Sequence, residues 1–332
     1  IWATRGLGYV GVSPRIFYVA APGAILIWVG LLAIDLKSSL AGRLWRFGTL
    51  ALTALILVQA VSFLVVRKDL HDDAMPAIWD IVRSGQQAGG DAKLLYVNVP
   101  DQITPFYREY PVGFFRAILM PVSVDLGQYV ELHAGVRPAT RSLSVPALAG
   151  LEDFPHQVDM RGEAVGQPEL SAAIRAADAV FFTEYSPTGA VRVVDAGGVK
   201  TQAAQSYLAT FGDRARLIDA QTREDVDKVQ ITLIWECLRR FDPNDTVFVH
   251  GLNEQGQLAV QADGDPLRGL FPLSECAPGE QIRDVRRLPL APRAKTTITT
   301  GMYNRLTGER LPAFHAAGSP VSDNAVTITQ TR

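Results

Sequence analysis

Cys237 and Cys276 are the only two thiols in 332 residues. Neither sits in a CxxC or comparable metal-gripping spacing. In an oxidising compartment they can form one disulfide; otherwise they are two separate core thiols, and both readings stay open. Asp263 and Asp265 flank Gly264 and put two carboxylates on one turn. Calcium takes about six to eight oxygen ligands, so a solvated turn is the more economical account. Trp235, Phe248 and Tyr303 offer rings for sugar stacking, although packing of alternate strand positions accounts for them more simply. His71, His133 and His156 lie among ordinary neighbours and complete no Ser/His/Asp or Cys/His constellation. No GxGxxG follows a strand and no GxxxxGK[ST] occurs. No metal and no cofactor is expected.

The elements that must position these residues begin with two apolar segments, residues 17–34 and 47–66. Each is uncharged and about long enough to cross a ~30 Å hydrocarbon core as a helix. Lys37, Arg43 and Arg46 lie in the link. This pattern predicts a transmembrane helical hairpin within residues 1–68. Arg5, Arg15, Arg67 and Lys68 on the other side nearly balance the link, so basic residues alone do not orient it. The β-rich C-terminal part places the link in the cytoplasm and everything after about residue 68 outside. The chain opens on Ile1 and on no signal sequence, as expected of a fragment with further chain before it. A net charge of −2 gives no basic footprint for nucleic acid.

Residues 69–224 read as an extracytoplasmic α/β domain. Met75, Ile78, Ile81 and Val82 predict an amphipathic helix that ends at Gly89-Gly90. KLLYVNV, from Lys93, suits a buried strand, and residues 129–134 suggest another. Residues 137–168 read as a long loop and 168–177 as a short helix. Residues 178–185 and 190–195 read as strands joined by the turn SPTG, 201–211 as a helix, and 215–218 as a last short strand. Gly197-Gly198 reads as a hairpin or loop. From Asp227 the pattern changes to period two. Val229, Ile231, Leu233, Trp235 and Cys237 alternate with polar positions, and short strands follow between Gly/Pro turns. That spacing predicts an antiparallel β-sandwich, jelly-roll or Ig-like, over residues 225–332.

The stretch VFVHGLNEQGQLAVQADGDPLRGLFPLSECAPGEQIRD, with GMYNRLTGERLP after it, resembles an accessory β-sandwich at the end of bacterial GT-C-type membrane glycosyltransferases. That broad group includes the dolichyl-phosphate-mannose protein mannosyltransferases. Matching positions run from Val247, Phe248, Val249 and His250 through Gly256, Gln261, Asp263, Pro266, Gly269 and Pro272. They continue through Pro278, Gly279, Glu280 and Asp284 to Gly301, Tyr303, Thr307, Gly308, Arg310, Leu311 and Pro312. SPRIFYVAAPG is similar to the segment leading into a late transmembrane helix of the same proteins, and together the matches cover about a third of the chain. Cys276 stands where the pattern has Trp, and Gly251 and Asn253 stand where it has Leu and Asp. Pro292-Arg293-Ala294-Lys295 replaces a PPGxY lead.

The resemblance implies an enzyme that moves a sugar from a polyprenyl-phosphate carrier to an acceptor outside the cytoplasm. The carboxylate essential to that family lies in its first extracytoplasmic loop, which would precede Ile1. This chain is then a C-terminal, non-catalytic part in the bacterial plasma membrane. Its partners would be the lipid bilayer, the polyprenyl-phosphate-linked sugar and an envelope glycan or protein acceptor. Arg15 with Tyr18, at the membrane boundary, can bind a lipid phosphate through bidentate hydrogen bonds. Interfacial anchoring is the commoner role for such a pair. A membrane-anchored carbohydrate- or protein-binding module without catalysis is the alternative, and an assembly protein is a third.

Overall fold

A computed structural model describes residues 29–30, 40–105, 109–110, 113–114, 117–119, 124–202, 206–224, 228–289 and 296–330. The first long element is α1 (Leu40–Ala88), 49 residues in one helix. At 1.5 Å per residue it is about 74 Å long. Its first half exposes large apolar side chains, among them Leu44, Phe47, Leu55, Val58 and Val61. Its second half buries Ala74, Ala77, Ile78 and Ile81 against the body. Pro76 sits where one half gives way to the other, and it withdraws the N–H that would bond the Asp72 carbonyl.

This helix replaces the expected hairpin. Arg43 and Arg46, read as part of a link, lie inside α1, and the same helix carries Lys68, Asp69, Asp72 and Asp73 onward without a break. Leu, Ala and Arg at 40–46 are strong helix formers, and no Gly-Pro or Asn-Gly signal separates the apolar run from the amphipathic one. Counted over the described positions, no helix is long and apolar enough to cross a membrane. Of the first expected span, residues 17–34, only Val29 and Gly30 are among the described residues.

After α1 come β1 (Lys93–Val97), β2 (Pro100–Pro105), β3 (Glu109–Tyr110), β4 (Gly113–Phe114) and β5 (Ala117–Ile118). Next are α2 (Leu126–Ala134), β6 (Ala139–Ser144), β7 (His156–Met160), β8 (Glu163–Ala164), α3 (Gln167–Ala176) and β9 (Ala179–Tyr185). β1 pairs in parallel with both β6 and β9. The crossovers carry α2 and α3, as parallel pairing requires. α2 occupies the stretch read as a strand. The Asp125 carboxylate accepts from the Gln128 N–H at 2.8 Å, and Gly135 closes the helix at φ 73°. β6 and β7 lie in the stretch read as loop.

The chain continues with β10 (Val191–Thr201), β11 (Ala209–Phe211), β12 (Ala215–Glu224), β13 (Lys228–Cys237), β14 (Asp245–Leu252) and β15 (Leu258–Gln261). It ends with β16 (Glu280–Pro289), β17 (Thr297–Asn304), β18 (Ala313–His315) and β19 (Val326–Gln330). The stretch read as a helix at 201–211 holds the end of β10 and all of β11. One mixed sheet takes ten strands in the order β18-β11-β12-β13-β16-β10-β9-β1-β6-β8. A separate antiparallel sheet runs β15-β14-β17-β19. β2 pairs with β5 and β7, and β3 with β4.

This topology corrects the expected sandwich as well. β13 and β16, two of its strands, belong to the large sheet, and β16 pairs with β10 from Gly197↔Asp284 to Thr201↔Glu280. The join depends on Gly197, which has φ 128° and stands where an added Cβ would lie 1.7 Å from the Arg283 carbonyl oxygen. Of the expected sandwich, the four-stranded sheet β15-β14-β17-β19 stands apart from the large sheet. It packs on the large sheet through Val247, Val249, Ile298 and Met302, in one core with Leu233, Trp235 and α3's Ile174. On the other face, α1 and α2 share a second core with Leu94, Tyr96 and Val193.

Two predictions arise in that second core. A Cβ on Gly85 would fall 2.6 Å from a Val130 methyl. Gly85→Ala should therefore force α1 off α2 and cost about 1–3 kcal/mol, read as a lower urea midpoint. Burial pushes the Tyr96 phenol up to about 12, against the hydrogen bond with Ser84. A folded pKa above the unfolded value of about 10 means that the stability from the neutral phenol is intact below pH ~10. It is lost as pH rises toward ~12, by about 2–3 kcal/mol. Circular dichroism through that range should show a shallower alkaline loss for Tyr96→Phe than for the parent.

Candidate anion-binding site

Arg15 and Tyr18 lie outside the described residues. Cys237 and Cys276 are joined as a disulfide with Cα atoms 6.3 Å apart. Trp235 is fully buried, edge-on to Phe211 at 5.3 Å, and Phe248 lies under the Arg310 guanidinium at 4.6 Å. Both are core rings. Asp263 meets His250 Nε2 at 3.2 Å, while Asp265 meets Arg305 at 3.1 Å. Among the described residues no three His, Cys, Asp or Glu side chains gather as a metal would need. His133 packs beside Trp79 and Tyr129, and His156 beside Phe154. Burial lowers the His156 pKa against the pull of Asp73.

The structure instead brings together residues that the sequence keeps far apart. After β15, the DGDPLRG turn folds back over β16 and β9. Leu267 and Arg268 take left-handed backbone angles, φ 55° and 62°, each costing roughly 1 kcal/mol for a residue with a Cβ. The turn is held because the Leu267 N–H donates to the buried Asp284 carboxylate at 2.9 Å. Arg286 completes the support. Its Nε donates to Asp284 at 2.7 Å, its Nη2 to the Gly264 carbonyl at 2.8 Å, and its Nη1 to the Ala262 carbonyl. Every arm of that guanidinium is occupied, so it serves the fold.

Arg268 is different. Its Nη1 pairs with Glu184 of β9, which also stands 3.9 Å from Arg287 Nη1. Its Nε and Nη2 are buried and, among the described residues, have no hydrogen-bond partner. Burial pulls its pKa below the ordinary arginine value, against the attraction of Glu184; it remains a cation. Arg268, Arg287, Asp263, Asp265 and Phe182 line a cavity of about 360 Å³. Burial raises the Asp265 pKa, opposed chiefly by Arg305.

Nε and Nη2 form one edge of the guanidinium fork, the edge that fits a carboxylate or phosphate with two parallel bonds. Leaving both donors buried and unmet is costly. The cavity wall is a mixed-charge arrangement, with Arg268 and Arg287 beside Asp263 and Asp265. Sequence reading did not find it, because Glu184 is 84 positions from Arg268 and only the β9–β10–β16 pairing brings them together. No family model matches the chain, and no curated protein matches it either.

Proposed function

We propose that this chain is the extracytoplasmic, non-catalytic part of a membrane glycosyltransferase. Such an enzyme moves a sugar from a polyprenyl-phosphate carrier to an acceptor, and here the β-rich body holds the acceptor side. The observation that carries the compartment is the buried Cys237–Cys276 bond, since structural disulfides persist in oxidising surroundings. The exposed apolar half of α1 supports attachment to a bilayer, because side chains such as Phe47 and Val58 point into no part of the body. The resemblance supports the chemistry. Two of its matching residues, Asp263 and Gly269, lie in the cavity wall, on the turn after β15.

The test is transfer of labelled sugar from a synthetic polyprenyl-phosphate donor by membranes carrying the intact protein. Transfer should be lost when this chain is deleted. Undiminished transfer after deletion overturns the reading. A second reading, a membrane-attached binding module without catalysis, is favoured by the cavity that Arg268, Arg287, Asp263 and Asp265 line. Ligand capture with no transfer would select it.

A further inference from the structure

We propose that the cavity lined by Arg287, Asp263 and Asp265 binds one ring of a neutral sugar, an uncharged hexose unit of a glycan. The Nε and Nη2 of Arg268 are buried and take no part in this. Arg287 is the donor that a ligand can reach. Its side chain is 26 % exposed and lines the cavity. Glu184 stands 3.9 Å from its Nη1, too far for a hydrogen bond, and among the described residues Arg287 makes none. Asp263 and Asp265 supply the acceptors. Asp263 meets His250 Nε2 at 3.2 Å and also Tyr303, while Asp265 meets Arg305 at 3.1 Å and the Leu273 N–H. A carboxylate has about four lone-pair sites, so both keep capacity for a hydroxyl.

The balance of charge selects the ligand class. In the wall, or paired with it, Arg268, Arg286, Arg287 and Arg305 stand against Glu184, Asp263, Asp265 and Asp284, four charges of each sign with His250 counted neutral. Each sign is already answered within the protein. An ion of either sign would leave water and find no surplus counter-charge. A carboxylate or phosphate drawn by Arg287 would also meet Asp263 and Asp265, and an ammonium drawn by the aspartates would also meet Arg287. A neutral polyol carries no such cost. Its adjacent hydroxyls each donate and accept, so they can use the aspartate lone pairs and the Arg287 N–H groups together. Phe182 and Leu148 add apolar surface for the C–H face of a ring. A cavity of about 360 Å³ is at the small end of ligand sites, about 300–1,000 Å³, and suits one ring rather than a long chain.

The experiment is titration of the purified chain with D-glucose, D-mannose and D-galactose, and with the charged analogues D-glucuronate, D-glucosamine and D-glucose 6-phosphate, followed by ligand-observed NMR. Saturable binding of at least one neutral hexose is expected, with a Kd on the order of 1 mM, as a single ring allows. Every charged analogue should bind more weakly than the best hexose. The hexose affinity should change less than about twofold between roughly 50 and 500 mM NaCl, because no ion pair forms with the ligand. Arg287→Met removes the reachable donors and should weaken the hexose about tenfold. No saturable hexose binding, a charged analogue as tight as the best hexose or tighter, or a stronger salt dependence overturns the proposal. So does an Arg287→Met variant with unchanged affinity. The wild-type titrations decide the ligand class even if that variant fails to fold. Hexose binding here rests on the reading that this body holds the acceptor side, yet the two fail separately. Binding of a hexose with transfer undiminished by deletion keeps the cavity and removes the enzyme role, and transfer lost on deletion with no hexose bound does the reverse.

Discussion

Arg286→Met is expected to lower stability by about 3–5 kcal/mol, because it strands a buried carboxylate. Asp284 is wholly buried and, among the described residues, keeps only the Leu267 N–H once Arg286 Nε is gone. The carbonyls of Ala262 and Gly264 lose their donors in the same step. In a chain of this size the loss corresponds to roughly 4–7 °C in melting temperature. Asp284→Asn combined with Arg286→Met should recover part of it, since the amide still accepts from Leu267 and no lone charge remains. A double-mutant cycle in urea measures the coupling. Should Arg286→Met cost less than ~1 kcal/mol, the pair is not a buried ionic support, and the turn carrying Arg268 is held by something else.

How much of this was legible in the sequence depends on the range of the interaction. The alternation from Val229 to Cys237 is local, and it appears as β13 within a residue of its expected ends. The turn at SPTG is local too, and it joins β9 to β10. Asp125 and Gly135 were readable as helix caps, but the apolar Tyr129–Val130 pair drew the stretch toward a strand. The layout of the sheets was not readable, because it rests on Gly197. A glycine pair in a polar context looks like a turn. Here it is a bulge inside β10, where the register with β9 shifts between Asp195 and Gly197 and β16 passes too close for any Cβ. That bulge lets strands expected in a separate sandwich enter the large sheet. Arg268 was hidden for a related reason. DGDP reads as a solvated turn, and nothing local says that a carboxylate from β9 and a second arginine from β16 close over it.

The second large effect is expected from the disulfide. Replacing both Cys237 and Cys276 with Ala should cost about 4 kcal/mol, the loop entropy released when a link between residues 39 positions apart is removed. The closed segment contains β14, β15 and the Arg268 turn, so the consequence reaches function. Cys276 ends the stretch that follows the turn, and the Gly279 N–H donates to the Cys237 carbonyl at 2.8 Å on the way into β16. Without the bond, this strand-to-turn connection opens before the large sheet does, and Arg268 loses its fixed place. The double variant should therefore show a lower urea midpoint, and faster proteolysis within residues 237–276 under conditions where the rest is still folded. Parent protein made in a reducing cytoplasm should resemble the variant, while protein exported to an oxidising compartment should not. If variant and parent share one midpoint and one cleavage rate, the bond supports neither the turn nor the cavity. The case for an extracytoplasmic body would then rest on the resemblance alone.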